Sequence, residues 1–432
     1  MSTATTTTAA SIQATETPAP GPAVYAAIQE AGYAERGAPF GSLLMKFAAA
    51  AELNNGWNSQ RGQTQISFFQ SRKIEDPENR FRPLGDFATI NNADASRAPV
   101  MLVAPGAFDG DKPPLVHPKG FHWILKDKDS GNSVNMAYYS LDAPEGYRAM
   151  GIAVGFNDTD PDPENYWCVD SDLVHDVPEE KTFWNDKGSN WDENASLNVV
   201  DLTNAPSVEG KLTLAPTTFL SVFTGGGQGK CLVLEKLKLP VHRIPPAAPI
   251  YEENSVDTKT APGLGYVEVL PCSIITDALS SSGPKDSPFY YLASEPYWNC
   301  FKGFDTGDHA KYTESVLVGT SLDKSEGFQN TTSLTVGAET GVEAGGFSAK
   351  LSVSYTNEMQ VSSETTEGHK TEVSTAVDID LPRHRHIYLW QARAYITVYR
   401  TKGSPEDGPT ILSRAPFGKD DLVFTKKPVE GV

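Results

Sequence analysis

The chain has 432 residues and carries 36 basic against 55 acidic side chains, a net charge of −19, with apolar residues at 39%. That length accommodates two or three domains, each with its own core. The charge leaves no basic stripe to displace phosphate counterions, which argues against a nucleic-acid partner and against purely electrostatic docking on anionic lipid.

Leu, Val, Ile, Phe and Tyr recur every second residue, and 36 Gly and 31 Pro punctuate the chain as turns. This texture predicts an all-β fold of many short strands. No stretch approaches the ~18 consecutive apolar residues of a spanning helix. The segment Met1 to Pro22 is rich in Thr, Ala and Pro, without a basic n-region or an apolar centre. We therefore expect a protein made soluble, without a secretory signal, and released by a non-standard route. Cys168, Cys231, Cys272 and Cys300 show no metal-ligand spacing. Disulfides Cys168–Cys231 or Cys272–Cys300 remain open, while buried free thiols fit the missing signal better.

In chain order, residues 1–22 read as a disordered tail. Residues 23–53 carry helical patterns, Val24 to Ala34 and then the Ala-rich Leu43 to Leu53. From 54 the texture turns to strands and an internal repeat emerges. Trp57 stands as far before Phe81-Arg82-Pro83-Leu84-Gly85 as Trp123 stands before Tyr147-Arg148-Ala149-Met150-Gly151, so one pattern occurs twice at one internal spacing. A degenerate third copy begins near Trp184. Three units, each burying one apolar face on its neighbours, predict a three-lobed β-prism over 54–240.

Within it, Pro144-Glu145-Gly146-Tyr147-Arg148-Ala149-Met150-Gly151 and the later Trp167-Cys168-Val169-Asp170-Ser171-Asp172-Leu173 resemble the vacuolar-protein-sorting-associated family number sixty-two. Met150 stands where that family has Leu, and Asp170 where it has Arg. The resemblance covers about 55–240 and constrains the fold more than the function. Trp57, Trp123, Tyr138, Tyr139, Trp167 and Trp191 are candidate receptor or glycan contacts through ring stacking, with prism core as the competing assignment.

Prolines between 241 and 263 mark a linker. A second domain, 264–401, and a tail, 402–432, complete the chain. Residues 313–381 of the second domain are rich in Ser, Thr, Gly and Glu. There Leu334, Val336, Ala338, Val342 and Ala344 alternate up to Gly345-Gly346, after which parity flips to Phe347, Ala349, Leu351, Val353 and Tyr355. A two-residue turn at the glycines puts both apolar sets on one face of a hairpin. The other face carries Thr335, Glu339, Glu343, Ser348, Lys350, Ser352 and Ser354. Strands of this length match the ~9–11 residues a tilted strand needs to cross a bilayer. An ordinary half-buried hairpin shows the same alternation. The hydroxyl-rich polar face favours a water-filled lumen.

Ser287-Pro288-Phe289-Tyr290, Trp298, the run Glu326 to Leu334, Pro382 and Ile387-Tyr388-Leu389-Trp390-Gln391 resemble aerolysin-like toxins of the epsilon-toxin and mosquitocidal-toxin type, over 264–401. The resemblance implies an elongated antiparallel sheet and a central hairpin that inserts from a ring of copies as a transmembrane β-barrel. The expected activity is a pore-forming, insecticidal cytolysin binding a target membrane through a receptor or glycan. The alternative is a non-lytic glycan- or membrane-binding or trafficking module.

Other motifs carry less. Gly225-Gly226-Gly227-Gln228-Gly229-Lys230 has Thr224 in place of the first phosphate-loop glycine and Cys231 in place of Ser/Thr, and reads as a turn. Asp158, Asp160, Asp162 and Glu164 alternate like a calcium loop, but Pro161 and Pro163 interrupt them and favour a solvated acidic loop. His384-Arg385-His386 reads as a cationic turn before a pH trigger. No nucleophile elbow or zincin motif occurs, so neither an enzymatic centre nor a cofactor is expected.

Overall fold

The structure is a computed structural model. It describes residues 20–58, 65–71, 80–91, 93–127, 133–157, 159–177, 180–187, 196–200, 202, 211–221, 229–247, 249, 259–277, 284, 287–306, 310–318, 334–336, 373–381, 385–400 and 411–428. Helix α1 (Pro20–Ala31) buries Val24, Ile28 and Ala31, the one-face spacing of an amphipathic helix. Gly32, at φ 55°, ends it, and α2 (Tyr33–Arg36) follows.

The second expected helix is a strand. Between β1 (Ala38–Phe40) and β6 (Pro99–Pro105), β2 (Leu43–Ala49) pairs along its whole length, from Leu43 opposite Pro105 to Ala49 opposite Pro99. Leu43 and Met45 enter one core, while Leu44 and Ala48 pack on another. A strand buried on both faces reads as a continuous apolar run, which periodicity does not separate from a helix. Of the Ala run, Ala50–Glu52 keep a single 3-10 turn, with Ala49 N–H donating to Glu52 Oε1 at 3.1 Å.

The first lobe adds β3 (Asn54–Asn58), β4 (Ile66–Gln70) and β5 (Phe87–Ile90), which form a second three-stranded sheet. The second lobe repeats this arrangement. Its β7 (Leu115–Val116), β10 (Tyr147–Arg148) and β12 (Cys168–Asp170) make one sheet, and β8 (Phe121–Lys126), β9 (Met136–Leu141) and β11 (Ile152–Phe156) the other. In the third lobe, β13 (Val174–Val177), β16 (Lys211–Leu214) and β18 (Gly229–Glu235) pair. So do β14 (Glu180–Asn185), β15 (Ser196–Val200) and β17 (Leu220–Ser221).

The registers confirm the repeat and correct it in one place. Arg82 bridges Val103 and Arg148 pairs with Val169, and a single shift along the chain carries the first pair onto the second. Beside a register shift in each lobe, Trp57 pairs with Phe68, Leu125 with Tyr138 and Trp184 with Leu197. Leu125, not Trp123, is therefore the equivalent of Trp57. The second hairpin is longer than the first between these partners, so equal tryptophan spacing did not mean equal position.

The three lobes meet at Gly85, Gly151 and Thr218. A Cβ on Gly85 would lie 2.3 Å from Thr218 Oγ1 and 3.0 Å from Gly151 Cα, and one on Gly151 would lie 2.3 Å from Thr218 Cγ2. The close approach demands glycine in two lobes and leaves room for one small side chain in the third. Buried Asp86 ties the same point. It accepts from Ser71 N–H at 2.7 Å, Val154 N–H at 2.7 Å and Tyr166 O–H at 2.9 Å, while Thr218 donates to its carbonyl at 2.8 Å. Burial pushes the Asp86 carboxyl up to about 7 against the pull of these donors.

The six sheets build two cores, each from one sheet per lobe. The first holds Met45, Val103, Leu115, Val169, Leu214 and Leu232, together with α1. The second holds Trp57, Phe68, Leu125, Tyr138, Trp184, Leu197 and Phe219. Phe68, Tyr138 and Phe219 meet pairwise at centroid distances of 5.5, 5.4 and 6.2 Å.

The first core continues into the C-terminal sheet. Strand β19 (Leu237–Leu239) leaves the prism and pairs with β20 (Val267–Pro271), opening a five-stranded antiparallel sheet. Its other members are β22 (Phe289–Thr306), β26 (Arg385–Arg400) and β27 (Ile411–Pro428). At ~3.3 Å per residue these strands run about 50–60 Å, the elongated sheet expected. Phe289 seats the sheet on the prism, 6.3 Å from Phe40 and 5.9 Å from Phe47 between ring centres.

The end of the expected linker, residues 259–263, lies along β22, and residues 264–266 continue it. Thr260, Gly263 and Gly265 N–H donate to the carbonyls of Trp298, Pro296 and Ser294. Most of the expected tail is β27, in register with β26 from Tyr399 opposite Ile411 to Arg385 opposite Pro428. It is an edge strand, where Pro416 is tolerated because only one side needs donors. Among the described residues no helix is long and apolar enough to cross a membrane.

Candidate functional site

The chain leaves the C-terminal body along β23 (Ala310–Val318) and returns along β25 (Val373–Leu381). These strands pair over their full length, and their distal residues, Val318 and Val373, face each other. The excursion from 319 to 372 therefore starts and ends at one rung of an antiparallel ladder. It contains β24 (Leu334–Val336), which pairs with β21 (Ile275–Asp277): Val336 opposite Ile275, Thr335 opposite Thr276 and Leu334 opposite Asp277. These three residues are the described part of the predicted hairpin. The other positions assigned to it, from Ala338 through the paired glycines to Tyr355, lie outside the described residues.

The five-stranded sheet is braced by polar aromatics. Tyr297 and Tyr395 stack at 4.4 Å and 15°, and burial together with the neighbouring Tyr395 pushes the Tyr297 phenol up to about 12. Tyr399 O–H donates to the buried Glu295 carboxylate at 2.9 Å. Lys238 of β19 stands 4.0 Å from the buried Glu268, its register partner on β20. Cys300, Tyr388 and Trp390 form a small core with Trp298 against it.

The six aromatics singled out for recognition divide. Trp57, Tyr138 and Tyr139 are buried and cannot offer a ring face to a ligand. Alternation placed them on strands, but not on which side. Tyr139 also donates to Asp160 Oδ1 at 2.7 Å. Trp167 is half-buried, with the His117 ring stacked on it at 3.9 Å and its indole N–H donated to Arg80 O at 3.0 Å. Trp123 is 62% exposed. Trp191 lies outside the described residues.

The remaining sequence candidates are accounted for by local roles where they are described. Asp162 caps the 3-10 turn Pro163–Asn165 by accepting from Glu164 N–H at 3.0 Å, and Asp158 lies outside the described residues. His386 and Arg385 open β26, and the phosphate-loop look-alike is outside the described residues up to Gln228. All four cysteines are free, and burial raises the thiols of Cys168, Cys231 and Cys272, the first two to about 12 and about 11. They are protected from thiolate chemistry. Sequence reasoning missed Thr218 and the Asp86 knot. The signal was present in the step from Gly85 to Gly151, which projected once more along the chain ends beside Thr218.

Comparison with known proteins matches the two halves separately. Residues 16–238 match the family model of vacuolar protein sorting-associated protein 62, and residues 271–407 match that of the insecticidal crystal toxin P42. No curated protein sequence matches significantly. Among solved structures, GNIP1Aa from Chromobacterium piscinae is similar at 22% identity and a TM-score of 0.33, over 42% of this chain and 33% of that one. The chain thus spans about a third of the length of that structure. Cry35Ab1 is similar at 13% identity and a TM-score of 0.33, over 72% of this chain and 89% of that one. The chain belongs to the vacuolar protein sorting-associated protein 62 family, and joins that domain to a C-terminal module of the insecticidal crystal toxin P42 kind.

Proposed function

We propose that the protein is a β-pore-forming toxin whose prism selects a target surface and whose excursion 319–372 supplies the membrane-crossing ribbon. The observation that carries this reading is the pairing of Val318 with Val373. It brings both ends of a long, hydroxyl-rich segment to one rung of a two-stranded ladder, the anchorage that a ribbon released on insertion requires. The match to an insecticidal toxin family over the same region supports it.

Energetics require an assembly. A single hairpin in lipid leaves unpaired backbone groups on both edges, each costing several kcal/mol. Burying Leu334, Val336 or Val342 recovers about 1.5–3 kcal/mol each, and Ala338 less. The edges win for one copy and vanish in a closed ring, so insertion follows oligomerisation on the target surface. The test is release of trapped dye from target-membrane vesicles, with negative-stain imaging of the same sample. Rings accompanied by dye release support the reading. Retained dye with persistent monomers on every membrane tested overturns it.

A further inference from the structure

A cavity of about 490 Å³ opens where the first two lobes meet, between the 106–114 connection and the turn Ser171–Leu173, with Ser42 on its lining. Its size falls in the range of small-ligand pockets. Phe108 lines it at 42% exposure, and with Trp123 makes up the exposed large apolar side chains among the described residues. Asp109, Lys112, Asp170 and Asp172 supply the polar lining.

One side of that lining is held by internal contacts. The Asp170 carboxylate pairs with Lys112 Nζ and accepts from Asp172 N–H at 3.0 Å, while Asp170 N–H donates to Pro114 O at 2.9 Å. Lys112 in turn lies 5.3 Å over the Tyr147 ring, whose hydroxyl donates to Pro113 O at 2.9 Å. An exposed aromatic ring thus shares an open cavity with carboxylate acceptors and one ammonium donor, of which Lys112, Asp170 and Asp172 are held by the contacts above. Three carboxylates against one ammonium exclude phosphate and sulfate groups. A pyranose fits: its C–H face covers a ring, and its hydroxyls donate to carboxylates and accept from an ammonium.

We propose that this cavity is a saccharide-binding subsite taking a neutral sugar of a surface glycan, with Phe108 as the stacking face and Asp109, Asp172 and Lys112 as the polar contacts. The proposal rests on the reading that the prism selects the target, and names the chemistry by which it does so.

The test is full-length protein on a glycan array, followed by calorimetry with the retained glycan for wild type, Phe108→Ala, Asp172→Ala and the cavity-filling Ala107→Trp. All three positions are exposed, so melting temperatures should stay at the wild-type value. The expected result is retention of a neutral glycan and at least a tenfold loss of affinity in each variant. No retained glycan, or equal affinity in all variants, overturns the proposal. So does retention of phosphatidylcholine vesicles alone, which would assign the cavity to a cationic headgroup. Dye release from receptor-free vesicles at high protein dose is measured in parallel. Glycan binding by a protein that never releases dye upholds the subsite and counts against the pore.

Discussion

Substituting Gly151 by Ala places a methyl group 2.3 Å from Thr218 Cγ2 and Oγ1 and 2.8 Å from Thr218 Cβ. Ordinary carbon contacts lie at about 3.5–4.0 Å, so more than an ångström of overlap must be relieved at the meeting point of three lobes. Overpacking of this kind costs about 1–3 kcal/mol. Thr218→Gly alone loses the 2.8 Å hydrogen bond to Asp86 O, about 1 kcal/mol, plus a buried methyl of similar worth. Because Gly151 and Thr218 meet, the two losses do not add. Removing the Thr218 side chain clears the space the new methyl needs, and the double variant should be more stable than the sum predicts by about 1–3 kcal/mol. Urea unfolding followed by tryptophan fluorescence reads the cycle. Strictly additive losses would show that Gly151 and Thr218 do not meet, and would refute the threefold arrangement.

Asp86 gives a pH prediction. Its carboxyl titrates near 3.8 unfolded and about 7 folded, so between those values only the folded state keeps the proton. Its contribution is whole below about pH 4 and is lost as pH rises toward 7, by roughly 4 kcal/mol at most. Asp86→Asn should flatten that slope in pH-dependent melting, and an unchanged slope contradicts the assignment. Trp184→Ala, at 3% exposure, should cost about 3–5 kcal/mol by urea denaturation, while Trp123→Ala should stay within about 0.5 kcal/mol. Equal losses would mean the lobe register is misassigned. Glu295→Gln removes a buried charge that accepts from Tyr399 yet keeps an acceptor, and should cost less than Tyr399→Phe combined with Glu295 intact, because the latter leaves a buried carboxylate without that donor. The reverse order in thermal melts would contradict this.

The parts legible in the sequence were those written as spacing. Arg82 and Arg148 stood one repeat apart and proved equivalent, as their partners Val103 and Val169 show. Apolar residues at every second position, Tyr388, Trp390 and Val398 among them, are written into the sequence of β26. What spacing does not record was lost. The register shift beside Trp123 moved the equivalence to Leu125, and turned a would-be repeat residue into an exposed one. The third lobe was legible at Trp184, which pairs with Leu197 as Trp57 does with Phe68, but not at its apex, where Thr218 rather than a glycine meets Gly85 and Gly151. Leu43–Ala49 misled through the helix propensity of Leu and Ala, which pairing on both edges overrides. The prolines of the C-terminal segment read as a tail because sequence does not say that a strand lies at an edge.

Thr276 and Thr335 are register partners joining the body to the excursion. Antiparallel partners stand about 4.5–5.5 Å apart between Cα atoms, within disulfide range. A Thr276→Cys/Thr335→Cys variant, oxidised, should release no dye from target vesicles and regain release on reduction. Wild-type release from the verified oxidised form would mean that β24 never leaves β21, and that the pore, if there is one, is built from another part of the chain.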